Sequence, residues 1–260
     1  IANISGGNIY GRIDHQMSSS KAGVKGTLNI SGGNFYKYGT KVPNIMIFGA
    51  GVNSDASGIK LNITGGTFDS EININTGAYV PLGKGFNEKF IHGGTFATLD
   101  VVNNVAADAN INIVLGNDVV TTSTATVAAG SKVALDLNGH NVSYAVENSG
   151  ATAIINNNGE LNISNSGAEA TISFVAANPD LGSIPAYATN TITNTGTLTI
   201  GENVVVTNGS EGGASYAVDN HSVFTLNGGK LVGDRCALRV ARYNNPDVVF
   251  TMESGLIEAM

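Results

Sequence analysis

The densest group of side chains that could do chemistry lies in residues 218–242. Only 13% of the chain is charged, yet this stretch holds two aspartates, a histidine and three arginines. They are Asp219, His221, Asp234, Arg235, Arg239 and Arg242. A glycosidase needs two carboxyl groups about 5–10 Å apart, and a β-elimination needs a base and a cationic clamp. For a polysaccharide-cleaving enzyme the catalytic candidates are Asp219, His221, Asp234 and Arg239. We favour the alternative, in which these are solvated surface charges with some local pairing.

A second candidate is His140, in the string "LNGHN". The nearest acid along the chain is Asp136. Because Asp136 alternates with Leu135 and Leu137, the period of two places it on the outward face of a strand. We therefore expect His140 to occupy a corner of the backbone and not a catalytic position.

The other histidines carry weaker signals. His92 stands where Ser5, Ser31 and Thr64 stand in similar segments, which predicts an outward position beside a turn. His15 begins the polar segment "HQMSSSKAGVKG", which we expect to be a loop insertion with a solvated histidine.

Tyrosines form the best candidate for ligand binding. In "GGNIY" (6–10) and "GGNFY" (32–36) the alternation points Ile9 and Phe35 inward, so Tyr10 and Tyr36 should face outward and align. Flat aromatic rings stack on sugars, and Tyr38 lies nearby. Tyr10, Tyr36 and Tyr38 are the predicted glycan-binding residues. The alternative is that these rings only cover the coil, and the chain has no Trp to strengthen the carbohydrate interpretation.

Double glycines recur with their second member at Gly7, Gly33, Gly66 and Gly94, at spacings of 26, 33 and 28. A phosphate-binding loop needs a helix directly after its glycines. Here a strand pattern follows each pair, and the pair is repeated. The glycines are better explained as a backbone corner that recurs.

The elements that carry these residues are short repeated strands. Leu198, Phe224 and Phe250 follow one another at steps of 26, and "SYAVENSG" (143–150) returns 72 residues later as "SYAVDNHS" (215–222). Segments such as "LNI", "LTI" and "FTL" alternate apolar and polar residues, as strands do. A period in the mid-twenties is typical of a solenoid and is too short for a propeller blade.

These patterns predict an all-β fold, a right-handed single-stranded parallel β-helix of about ten rungs. Rungs about 4.8 Å apart would then extend on the order of 50 Å. Equivalent side chains should form columns, with an apolar interior column and asparagines that hydrogen-bond from rung to rung at turns. The predicted interior column comprises Leu28, Leu61, Leu161, Leu198, Phe224 and Phe250.

Repeat lengths divide the chain into two predicted segments. Residues 1–98 form a β-solenoid with long loop insertions, and residues 99–260 form a tighter one. Residues 172–191, which contain two prolines, break the period and predict another surface loop. Because the chain opens and closes inside a repeat, we expect it to be a fragment of something longer.

Composition excludes several classes of partner. A net charge of −7 without a basic cluster argues against nucleic acid. No apolar run reaches the 18 or so residues of a membrane span. The single cysteine excludes an internal disulfide and a cysteine-based zinc site. We predict no metal and no cofactor.

The most specific stretch is "VTTSTATVAAGSKVALDLNGHNVSY" (120–144). It resembles the first circuits of pectate-lyase-like right-handed β-helix proteins, in which a "LDLNGH" string occurs. The "SGGTF"-type endings and the "YAVxN" circuits are similar to repeats in surface adhesins of gut bacteria and in phage fibre and tailspike proteins. The strings "NTD", "DD", "GHG" and "RIK" of polygalacturonase-type members do not occur.

The resemblance implies an extracellular protein on a bacterial cell surface or a phage virion. We expect a non-enzymatic structural or adhesive β-solenoid that contacts a host glycan or receptor. Such fibres are often trimeric, and a homotrimer is one state that the sequence leaves open. The alternatives are a tailspike-like lyase or glycosidase and a pure spacer without a ligand.

Overall fold

The structure is a computed structural model. It describes residues 1–18, 26–36, 38, 44–50, 59–68, 73–75, 88–91, 93–96, 99, 102–103, 110–121, 123–144, 153–174, 189–209, 215–234, 236–242 and 246–259. Within these ranges the protein is all-β, its strands pair in parallel, and they coil as a β-solenoid. This confirms the predicted fold class.

The chain divides into two compact units, Ile1–Gly116 and Asn117–Met260. The division at residue 98 was drawn from repeat lengths and stays a prediction about where the repeat type changes. The described strands of unit 1 are β1 (Ala2–Tyr10), β2 (Arg12–Ser18), β3 (Gly26–Tyr36), β4 (Asn44–Ala50), β5 (Ile59–Ile63), β6 (Thr67–Phe68), β7 (Asn73–Asn75), β8 (Glu88–Ile91), β9 (Gly93–Phe96) and β10 (Asn110–Leu115).

Unit 2 repeats a three-strand circuit. Its described strands are β11 (Val119–Thr121), β12 (Ala125–Val127), β13 (Lys132–Asp136), β14 (Val142–Tyr144), β15 (Ala153–Asn157), β16 (Glu160–Ser164), β17 (Ala170–Phe174), β18 (Asn190–Asn194), β19 (Thr197–Ile200), β20 (Val204–Asn208), β21 (Tyr216–Asn220), β22 (Val223–Gly233), β23 (Leu238–Val240) and β24 (Val249–Ala259).

Strands stack in columns, one for each side of the coil. In unit 2 one column runs β12-β15-β18-β21-β23, a second runs β13-β16-β19-β22-β24, and a third runs β11-β14-β17-β20 and ends on the second half of β22. In unit 1, β1 pairs with β3 and β3 with β5, while β2, β4 and β7 form a separate sheet.

The apolar columns form the core, as the alternation predicts. In unit 1, Phe35 aligns with Phe68, and their rings stack at 4.4 Å between centroids. In unit 2, Leu161, Leu198 and Phe224 align in register and are at most 1% exposed. Phe250 also aligns with Phe224 but is only half-buried. Equivalent apolar side chains therefore stack rung on rung, which is how short strands bury enough area to fold.

A second, polar column lies beside this core. Asn157, Asn194 and Asn220 are completely buried, and each amide Nδ2 donates to the Oδ1 of the asparagine on the next rung at 2.7 Å. Each Nδ2 also donates to a backbone carbonyl. The column is bounded by Val127 and Val240, which align with Asn157 and Asn220. This confirms the predicted asparagine ladder.

The solenoid has about six turns, not the ten that were predicted. The error came from dividing the chain length by one period. Insertions lengthen single circuits without adding a turn: Leu28 aligns with Leu61, 33 residues on, and Leu161 with Leu198, 37 residues on.

Two predicted loop boundaries were also wrong. The segment 172–191 begins inside β17 and ends inside β18, where Ile172, Phe174 and Thr191 are at most 1% exposed. His15 lies in β2 and not in a loop. In both places the alternation of side chains continues past the point where the repeat changes, so the strand continues too.

The double glycines form corners, as predicted. Gly7, Gly33 and Gly66 have φ values of 92°, 104° and 108°, a left-handed region that favours glycine. A Cβ at Gly32 would lie 2.6 Å from the Ser5 carbonyl oxygen on the neighbouring rung. Glycine at the corner therefore permits both the turn and the close stacking of rungs.

None of the described segments is a helix of the length and apolarity that a membrane crossing requires.

Candidate functional site

Stacking brings together part of the charged group in residues 218–242. Thr193 of β18, Asp219 of β21 and Arg239 of β23 occupy one register position on three successive rungs. Asp219 and Arg239 are thus neighbours although 20 residues separate them. His221 follows directly after β21 and lies within reach of the same carboxylate.

Asp219 is a buried acid at the centre of this group. It is 2% exposed, and the Arg239 Nε donates to its Oδ1 at 2.6 Å. Its Oδ2 accepts from the Arg239 Nη2, lies 3.1 Å from the Asn190 Nδ2 donor and is 3.0 Å from the His221 Nε2. The expectation that Asp219 is a solvated surface charge is therefore wrong. Its register position places it under the neighbouring rung, where only a paired carboxylate is tolerated.

Arg239 closes the group on its outer side. Its hydrogen bond to Asp219 raises the pKa of the guanidinium, an effect that outweighs the opposing influence of burial. The guanidinium carbon also lies 4.7 Å from the centre of the Tyr216 ring, a cation–π distance. Both Asp219 oxygens and the Arg239 fork are engaged by the protein, so the pair is arranged as an internal ion pair.

The remaining charged candidates are placed elsewhere. Asp234 directly follows β22, and its N–H donates to the Asn208 carbonyl at 3.1 Å. Arg242 is exposed after β23, whereas Arg235 lies outside the described residues. The contacts found among the described residues join Asp219, His221 and Arg239 but do not include Asp234. In that part of the chain no three side chains of the histidine, cysteine and acid types gather as a metal site.

Two members of the cluster were missed from the sequence, Asn190 and Tyr216. They occupy one register position on β18 and β21. The repeat step of 26, which separates them, could have identified them. Asn190 is 4% exposed, and its Oδ1 is the buried side-chain atom for which the described residues supply no hydrogen bond.

The tyrosines form an exposed aromatic face on unit 1. Tyr10 of β1 aligns with Tyr36 of β3, and their rings stack at 5.0 Å between centroids with 21° between planes. Tyr10 is 61% exposed, Tyr38 is 69% exposed and Tyr36 is half-buried. The Cβ of Tyr38 lies 3.5 Å from the position that a Cβ would take on Gly11, so Tyr38 stands close beside the stack. The alignment of Tyr10 and Tyr36 is as the alternation predicts.

Asparagines accompany the tyrosines on the same face. Asn8 and Asn34 stand two residues before Tyr10 and Tyr36, and both are exposed. The Asn34 Nδ2 donates to the Asn8 Oδ1 at 3.0 Å. Asn8, Asn34, Tyr10 and Tyr36 together make a two-by-two patch of amides and rings, which we call the tyrosine–asparagine face.

The histidine predictions have mixed outcomes. His140 lies at a corner, where its N–H donates to the Leu137 carbonyl at 2.8 Å. Its Nδ1 is 3.5 Å from an Asp118 oxygen, a partner that sequence proximity did not suggest. His92 lies outside the described residues. The side chain of His15 is likewise outside them, although its backbone is in β2.

Asp136 faces outward between the buried Leu135 and Leu137, as predicted. Partial burial raises the pKa of its carboxyl group, but hydrogen bonds from the side chain and backbone of Ser166 and from the Asn138 backbone lower it further. The net pKa is below the ordinary aspartate value. Asp136 therefore acts as an acceptor that ties the corner at Asn138 to the next rung.

Searches against protein-family models, curated proteins and solved structures find no match for this chain.

Proposed function

We propose that this protein is a non-enzymatic β-solenoid that binds carbohydrate through Tyr10, Tyr36 and Tyr38. The observation that carries the proposal is the aligned and exposed pair of tyrosine rings on unit 1. In this proposal the coil is a scaffold, and the outward tyrosines are the adhesive element.

Energetics support a binding role for these rings. Tyrosine has a large apolar ring with one polar tip, and it is enriched where one side of a contact is apolar and the other is wet. It also supplies contact area at a low cost in conformational entropy. Tyr10 and Tyr38 leave most of their surface in water. Saccharide rings, which have an apolar C–H face and a polar rim, are suited to cover such surfaces.

The scaffold would hold these rings in a prepared position. Tyr36 continues β3, and its carbonyl accepts from the Gly11 N–H at 3.0 Å, which ties the two rungs at the tyrosines. The Phe35 side chain, adjacent in sequence, is fully buried against Phe68. A ligand would therefore bind without ordering a loop first, which is the cost that preorganisation reduces.

We further propose that the protein is displayed outside the cell, on a bacterial surface or a phage virion. The support is the resemblance of its repeats to those of pectate-lyase-like adhesins and phage fibres, together with its low charge and single cysteine. Labelling of intact source cells and purified virions with an antibody against the protein tests this part. Signal only after lysis of the cells and disruption of the virions would overturn it.

The carbohydrate proposal is tested by measuring binding to an array of bacterial and host polysaccharides. We expect the wild type to bind at least one, and the double variant Tyr10→Ala/Tyr36→Ala to lose that binding. Tyr36→Phe keeps the ring and should bind within about threefold of the wild type, since it loses at most one hydrogen bond. Val120→Ala, which alters a 68% exposed apolar residue of unit 2, is the control for a general surface effect.

Two outcomes would replace this proposal with one of its alternatives. No binding by the wild type to any polysaccharide would favour the spacer. New reducing ends or unsaturated products formed from a bound polysaccharide, and lost in Asp219→Asn or Asp234→Asn, would show a polysaccharide-cleaving enzyme.

A further inference from the structure

We infer that the tyrosine–asparagine face selects pyranosides that present two vicinal hydroxyl groups beside an apolar ring face. This inference rests on the proposed function and assigns to Asn8 and Asn34 the choice among sugars. Tyr10 and Tyr36 would supply contact area, while the two amides would supply the hydrogen bonds that depend on sugar structure.

The dimensions of the face suit one sugar residue. Residues two apart on a strand lie on the same side and about 7 Å apart, and neighbouring rungs lie about 4.8 Å apart. Asn8 and Tyr10 are both exposed on β1, and Asn34 and Tyr36 follow the same order on β3. A pyranose ring placed on the tyrosines would therefore bring its rim against the amides.

The bond between the two asparagines determines what they can offer. An amide carries two N–H donors and one carbonyl acceptor. Because the Asn34 Nδ2 donates to the Asn8 Oδ1, the Asn8 Nδ2 remains as a donor and the Asn34 Oδ1 as an acceptor. No hydrogen bond from another described residue engages either of these two atoms. The pair thus presents one donor and one acceptor on adjacent rungs.

Two neighbouring hydroxyl groups complement this arrangement. One hydroxyl oxygen would accept from the Asn8 Nδ2, and the other hydroxyl would donate to the Asn34 Oδ1. A sugar that lacks either hydroxyl would satisfy only half of the pair. A few oriented polar groups beside a larger apolar contact are the usual source of specificity in ligand sites.

The chain contains a matched control for this pair. The Asn29 Nδ2 donates to the Asn3 Oδ1 at 2.8 Å, so Asn3 and Asn29 repeat the same bond between the same two strands. No aromatic residue stands two positions away from Asn3, since those positions hold Ile1 and Ser5. Asn3 therefore has the amide bond without the stacking surface.

The test uses ligand-observed NMR titrations with methyl β-D-galactopyranoside, methyl β-D-glucopyranoside and methyl α-D-mannopyranoside, and with their monodeoxy derivatives. We expect the wild type to bind at least one parent sugar roughly tenfold more tightly than its deoxy derivatives at two adjacent ring positions, as the loss of one hydrogen bond predicts. Asn8→Asp keeps an oxygen for the Asn34 Nδ2 but removes the free donor. In that variant the preference for the parent sugar over one of the two derivatives should fall below about threefold.

Asn3→Asp makes the same chemical change, adds the same charge and should retain the tenfold preference. If Tyr10→Ala/Tyr36→Ala abolishes binding but Asn8→Asp keeps the preference, the inference about the asparagines is overturned and the proposed function stands. If binding survives the tyrosine variant, or if the wild type binds neither these glycosides nor any polysaccharide, the proposed function fails as well.

Discussion

The two asparagine ladders of this protein use the same bond in opposite surroundings. In unit 1 the Asn8–Asn34 pair is exposed, and in unit 2 the Asn157–Asn194–Asn220 ladder has no exposure to solvent. A solvated amide can exchange its protein partner for water at little cost, whereas a buried amide that loses its partner pays the full desolvation penalty. The exposed pair is therefore available to a ligand, and the buried ladder is committed to holding the coil together.

The tyrosine face and the Asp219 cluster differ in the same way. Tyr10 and Tyr38 have most of their surface in water, while Asp219 has both carboxylate oxygens engaged by protein donors. The cluster contains the residue types of an active site, but its central acid has the environment of a structural ion pair. Residue type alone does not separate these two roles, because burial and the number of engaged lone pairs decide them.

The largest expected effect is at the buried ion pair. Arg239→Met should lower the free energy of unfolding by about 3 kcal/mol, because it leaves the Asp219 carboxylate buried without its main partner. Arg242→Met, which changes an exposed arginine after the same strand, should cost less than about 0.5 kcal/mol. Urea denaturation followed by circular dichroism measures both. Equal stability of the two variants would mean that the Asp219–Arg239 pair does not contribute to the fold.

The buried ladder gives the next effect. Asn194→Ala should cost about 2 kcal/mol, because Asn157 and Asn220 each lose an amide partner inside the protein. Asn194→Val tests whether an apolar residue of the type found at both ends of the ladder can replace the centre, and we expect it to be no more stable than the alanine variant. The same urea titrations apply, and a cost below about 0.5 kcal/mol would contradict the view that burial makes this ladder structural.

An exposed corner should give a smaller effect that depends on pH. Because hydrogen bonds hold the folded pKa of Asp136 below its ordinary value, the carboxylate stabilises the fold above about pH 4, and this contribution is lost as the pH falls through the folded pKa. Asp136→Asn should therefore cost about 1 kcal/mol at pH 7. Its difference from the wild type should shrink below pH 4.

Thermal unfolding across pH 2–7 measures this difference. Glu253→Gln removes an exposed carboxylate of β24 and is the control for net charge. A difference between Asp136→Asn and the wild type that stays constant down to pH 2 would show that the Asp136 charge has no role at this corner.

The exposed ladder should give the smallest effect on stability. Asn34→Ala is expected to change the free energy of unfolding by less than about 0.5 kcal/mol, since water replaces the lost amide partner. Urea denaturation alongside Asn194→Ala makes the comparison direct. A cost for Asn34→Ala as large as that for Asn194→Ala would remove the distinction between a structural ladder and a free one.

Much of the fold follows from short-range pattern. The alternation in "LNI" and "FTL" predicts strands, and the equal steps between Leu198, Phe224 and Phe250 predict the register that the structure shows. The number of turns was overestimated, because a repeat period does not reveal how much chain an insertion uses. The strand limits at Ile172 and Thr191 were missed for the same reason.

The candidate sites were predicted less evenly. Tyr10 and Tyr36 were placed correctly, because one repeat step and one alternation determine both their alignment and their outward direction. Asp219 was placed wrongly, because strand alternation does not reveal when a neighbouring rung covers an outward side chain. Asn190 was missed, since its contact with Asp219 crosses to another strand.

The sequence by itself determined the strands, their parallel stacking, the glycine corners and the outward column of tyrosines. These features depend on period and on the conformational preferences of single residues. Only the tertiary structure decided which polar residues are buried: the Asn157–Asn194–Asn220 ladder is enclosed, the Asn8–Asn34 pair is open, and Asp219 is paired with Arg239. Burial depends on what the neighbouring rungs place over each side chain, and that is a property of the assembled coil.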